Sequence, residues 1–69
     1  MEYLYTIPYL FWLRARIMLG QEGCEELLAC MTVYNDGHEP MFSHLSGARK
    51  KRTEKYWRKL KAIIDRQRA

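Results

Sequence analysis

The sequence predicts an all-α chain, a small three-helix domain with a long basic C-terminal helix and one unit spanning residues 1–69. Three observations predict it. An apolar run from Ile7 to Leu13 lies in a segment with a helix start at Pro8 and a stop at Gly20. Cys24, Leu27, Leu28 and Met31 recur at i, i+3, i+4 and i+7. Tyr56, Trp57, Leu60, Ile63 and Ile64 gather within about 120° of arc on a 3.6-residue wheel. With 48% apolar and 29% charged residues, the composition is that of a folded chain and not of a disordered one. Sixty-nine residues hold one domain at most. A chain this short buries only about 60% of its unfolded surface, so its stability depends on dense packing or on a second copy.

The first helix is expected from Pro8 to Leu19. Proline suits a first turn, where its missing N–H is not needed, and Gly20 can supply a left-handed stop. Tyr9, Leu10, Phe11, Trp12 and Leu13 point in every direction on the wheel, so this helix needs cover on more than one side. The second helix is expected from Glu22 to about Tyr34, with Glu22, Glu25 and Glu26 complementing the dipole of its first turn. Thr32-Val33-Tyr34 favours strand and Asn35-Asp36-Gly37 is a turn signal, which makes a short hairpin near 31–42 the alternative there. The third helix runs from about Arg49 to Gln67, after Ser46-Gly47.

The charge is unevenly distributed. Ten of the twelve Lys and Arg residues lie from Arg49 onward, against only Glu54 and Asp65, whereas the preceding segment sets six acids against Arg14 and Arg16. On the wheel of the third helix, Lys51, Arg52, Lys55, Arg58, Lys59 and Arg66 share one arc of about 120° away from the apolar stripe. At 1.5 Å per residue they extend over roughly 22 Å, enough to follow several phosphates. These six are the candidate nucleic-acid-binding residues. Pairs such as Glu54–Arg58 stabilise an exposed face by only a few tenths of a kcal/mol, and two acids cannot neutralise ten cations. The excess calls for a polyanion, an acidic protein partner or salt.

A second theme is aromatic. Five of the nine aromatic residues, Tyr3, Tyr5, Tyr9, Phe11 and Trp12, crowd the first twelve positions. Two short amphipathic helices cannot cover a helix that is apolar all round, and a homodimer is the economical solution. Tyr5, Tyr9, Phe11, Trp12, Tyr56 and Trp57 are therefore the candidate partner or dimer interface, the last two also reading as core.

Other chemistry is poorly served. Cys24, Cys30, His38 and His44 are spaced C-x5-C-x7-H-x5-H, whereas structural zinc sites pair ligands two to five residues apart, so no metal and no cofactor is expected. No third residue can orient a Cys–His pair, and adjacent Glu25 and Glu26 point apart; neither an enzyme nor a small-molecule substrate is expected. Arg14 and Arg16 break the early apolar run short of a membrane span, and its cations follow the run where a signal peptide's precede it. With two cysteines and no export signal, the cytoplasm is the expected compartment. These readings converge on a non-enzymatic regulatory or accessory protein whose basic helix engages nucleic acid. The alternative is a small inhibitor or adaptor, of the phage or mobile-element type, that captures a host protein through the aromatic helix and the basic face.

Overall fold

The computed structural model describes residues 6–68, which form two helices, α1 (Tyr9–Asn35) and α2 (Gly47–Arg68). The sequence predicts three helices; the structure has two, because Gly20 bends a helix instead of ending one. Gly20 adopts φ 77° and ψ −177°, and helical geometry resumes at once on its far side. That backbone region is essentially reserved for glycine. A straight helix of 27 residues would be about 40 Å long. The longest dimension of the chain is 33 Å, so the bend folds α1 back on itself. Gly23, one turn further on, is buried, and a Cβ there would overlap Leu19 Cβ. A reversal followed closely by a residue without a side chain lets the two arms of α1, residues 9–19 and 21–35, approach each other.

Contacts with α2 give the direction of each arm. The backbone of Thr6 is clasped by the Gln67 side chain, its N–H donating to Oε1 at 2.7 Å and its carbonyl accepting from Nε2 at 2.8 Å. Phe11 then meets Tyr56, ring centres 6.0 Å apart, so the first arm runs antiparallel to α2. Along the second arm, Glu22 pairs with Arg49 at 3.1 Å and Tyr34 stacks edge-on against Trp57 at 5.4 Å, so this arm runs parallel to it. The core lies between the arms and α2: Ala15, Leu27 and Cys30 from α1, and Tyr56, Trp57, Leu60 and Ile64 from α2. Phe42 closes it from the connecting segment. The expected apolar stripe of α2 is thus the buried one, with Thr53 buried alongside it and Ile63 at its edge.

The hairpin alternative near 31–42 fails for a local reason. Residues 31–35 complete α1, and no strand occurs among the described residues. The Asn35-Asp36-Gly37 signal caps the helix: Gly37, at φ 89°, donates its N–H to the Tyr34 carbonyl, and His38 donates to Val33. Those two bonds constitute a Schellman motif, which uses the left-handed glycine that a type I′ turn would also have needed.

The bend carries a chirality test. Replacing Gly20 by L-alanine is expected to cost about 1–3 kcal/mol, all of it backbone strain, since a Cβ there meets nothing within 4 Å. D-Alanine at the same position, introduced by chemical synthesis, finds these dihedrals unstrained and should hold or raise stability by a few tenths of a kcal/mol through the unfolded chain. Urea denaturation of the two stereoisomers separates them; equal stabilities would mean that α1 does not bend at Gly20 in solution.

Candidate nucleic-acid interface

Helix α2 positions the cations by burying the opposite side. With Tyr56, Trp57, Leu60 and Ile64 directed into the core, the 3.6-residue period turns Lys51, Arg52, Lys55, Arg58, Lys59 and Arg66 to solvent, and all six are exposed. Between them stand Ala48 and Ala62, also exposed and too small to shield them. Arg66 Nε reaches back to the Ala62 carbonyl at 3.4 Å, and Lys59 Nζ lies 5.1 Å from the centre of the Tyr56 ring. None of the six pairs with a carboxylate among the described residues.

The α2 cations that pair with carboxylates lie off this face. Arg49 pairs with Glu22 at 3.1 Å, and Lys61 approaches Glu39 at 4.0 Å and the Tyr34 ring at 5.4 Å. Arg68 lies over that same ring at 5.1 Å. Glu22 and Glu39 therefore meet the flanks of α2 and not its outer stripe. Arg66 and Arg68 also occupy the last turn, where positive charge is favourable to the helix dipole.

The six aromatic residues expected at an interface separate into three groups. Tyr5 lies outside the described residues. Tyr56 and Trp57, only 8% and 4% exposed, belong to this chain's own core and offer almost no surface to another. Phe11 and Trp12 are half-buried, packed edge to face at 5.2 Å, while Tyr9 is 76% exposed. Beside them the two arms of α1 enclose a cleft of about 370 Å³, walled by Tyr9, Trp12, Leu13, Cys24 and Leu28. Arg16, Gln21 and Glu25 form its polar rim. The sequence pattern suggests an apolar first helix but no cleft, because the bend that creates it places residues 9–13 beside residues 24–28.

The thiols and imidazoles do not converge. No group of three or more metal-capable side chains occurs among the described residues. Cys30 is buried in the core, and its thiol is pushed up to about 11, first by burial and then by the nearby Glu26 charge, which keeps it protonated and unreactive at neutral pH. Glu26 itself engages His44 Nε2 at 2.9 Å, tying the connecting segment to α1. The Tyr34 hydroxyl donates to Asp65 Oδ1 at 2.6 Å, and this bond to the carboxylate holds the phenol above its ordinary pKa. Sequence reading misses this contact and the Thr6–Gln67 clasp, since both join residues far apart in the chain and no local spacing encodes them. No helix among the described residues is long and apolar enough to cross a membrane.

The described residues thus form two helices, α2 carrying a cationic outer face and the arms of α1 an apolar cleft. No protein-family model, no curated protein and no solved structure matches this chain.

Proposed function

We propose that the protein is a non-enzymatic accessory or regulatory factor that binds nucleic acid through phosphate contacts from the outer face of α2. One observation carries this reading. Six cations stand exposed along one face without carboxylate partners among the described residues, although the body supplies acids and uses them on the flanking Arg49 and Lys61. A face whose role was only solubility would lose little by sharing those acids. A polyanion, by contrast, binds most strongly where cations are unneutralised and aligned. The stripe mixes arginine, which grips phosphate with two donors, and lysine, which acts as a mobile point charge. A stripe of this kind reads backbone charge and not base sequence. Two of the side chains that could serve catalysis have structural work here, Cys30 in the core and His44 against Glu26.

A second reading, a small inhibitor or adaptor that captures an acidic protein, draws on the exposed apolar surface of α1. The salt response separates the two. Fluorescence anisotropy with random duplex DNA and with RNA should show six phosphate contacts as a slope of about −5 in log K against log salt on duplex, close to a 10³-fold loss between 50 and 200 mM. A flat salt response, or no binding at low salt, would exclude the nucleic-acid reading.

A further inference from the structure

The side of the first arm of α1 turned away from α2 is apolar and has no partner among the described residues. At 100° per residue, Tyr9, Leu13, Ile17 and Leu10 occupy one arc of about 100°, opposite the arc of Phe11, Ala15 and Leu19 that enters the core. All four are exposed, Ile17 by 78%, and Leu28 joins them from across the bend. At about 200 Å² for a large side chain, these five leave on the order of 600 Å² of apolar surface in water. That is at the upper end of what monomeric proteins expose in one patch, roughly 300–600 Å². Adding the Trp12 and Cys24 floor of the cleft and its polar rim brings the surface to the scale of one side of a standard interface, about 800 Å².

The rim indicates which partner fits. Arg16 Nη2 donates to Gln21 Oε1 at 3.0 Å, and Gln21 Nε2 donates to Glu25 Oε2 at 3.3 Å. One cation and one anion thus stand on either side of Gln21, at the mouth of an otherwise apolar cleft. A two-fold axis over Gln21 lays Arg16 against the partner's Glu25, and the reverse contact follows by symmetry. An isologous interface demands a patch complementary to itself, and this arrangement of charge around apolar surface satisfies that demand. A foreign partner would impose no such requirement. We infer that this face of α1 is the interface of a two-fold dimer of this chain, with Tyr9, Leu13, Ile17 and Leu28 buried at its centre. The α2 stripe lies on the other side of the molecule and stays uncovered in both copies, so dimerisation and polyanion binding are separable.

Light scattering on eluted full-length protein, from low micromolar to near-millimolar concentration, should show a rise to twice the chain mass of 8.3 kDa. Ile17→Asp should hold the protein at the single-chain mass with its helical circular dichroism intact, because Ile17 makes no contribution to the core. Arg16→Glu alone and Glu25→Arg alone should each weaken the dimer about ten-fold, since each replaces two symmetric attractions with two repulsions. The two together should restore it to within a few-fold. A single-chain mass at every concentration, an Ile17→Asp dimer as tight as the parent, open-ended larger species, or charge exchange without rescue would each overturn the assignment, the first leaving the cleft to a different protein.

Discussion

Leu60→Ala is expected to leave a large fraction of the chain unfolded at 25 °C. Leu60 is fully buried on α2, within the cluster that receives Leu27 and Cys30 from the second arm of α1 and Ala15 from the first. Truncating a buried leucine removes its transfer free energy and leaves a cavity, together about 2–5 kcal/mol. A core in a chain of this length rarely supplies more than about 3–5 kcal/mol in total, so the loss is comparable to the whole stability. The surroundings have little scope to collapse into the space, because Trp57 and Tyr34 are fixed by their edge-on contact and Tyr34 is further held by Asp65. Leu60→Met keeps the volume and should cost less than about 1.5 kcal/mol. Urea titrations followed by circular dichroism compare the two; a Leu60→Ala chain as stable as the parent would show that the arms of α1 do not close on α2 as described.

The same cluster shows how far the sequence could be read. The buried side of α2 follows from period alone: Tyr56, Trp57, Leu60 and Ile64 are apolar at helical spacing in a segment otherwise full of charge, and no competing pattern exists there. The cation stripe follows with it, as the complement of that side. Gly20 illustrates the limit. A glycine at the end of an apolar run signals a positive φ, and the positive φ is there, but whether the chain stops or bends depends on ψ and on what packs against the next turn. Here Gly23 lies against Leu19 and the second arm returns over the first, a tertiary outcome that no local propensity decides. Asn35-Asp36-Gly37 is ambiguous for the same reason, since one left-handed glycine serves a hairpin turn and a Schellman cap equally well. The apolar cleft was hidden because it belongs to neither arm alone. Tyr9 and Leu28 share a face only after the bend has been made.

The largest functional effect is expected from reversing charge at the centre of the α2 stripe. Lys55, Arg58 and Lys59 lie within one turn of each other, all exposed and none paired with an acid among the described residues. A unit charge about 4 Å from a phosphate contributes about 1 kcal/mol in water, so removing three attractions costs about 3 kcal/mol and replacing them with repulsions about twice that. Lys55→Glu, Arg58→Glu and Lys59→Glu together should therefore weaken binding to duplex DNA by more than 10³-fold at low salt. Neutralising the same three with glutamine should give an intermediate loss and reduce the salt slope by about three. The fold should survive, since lysine, arginine, glutamate and glutamine are comparable helix formers, and the contact of Lys59 with the Tyr56 ring lies within α2 itself, so no contact between elements is lost among the described residues. Arg14→Glu, an exposed cation on α1 outside the stripe, is the control for net charge alone and should change affinity far less, because salt screens a charge that does not touch phosphate. A triple variant that keeps its helical spectrum and binds as the parent does would sink the proposal, because attraction set by overall charge would still have fallen; a triple variant and an Arg14→Glu protein weakened equally per charge would reduce the stripe to a diffuse positive field without a contact surface.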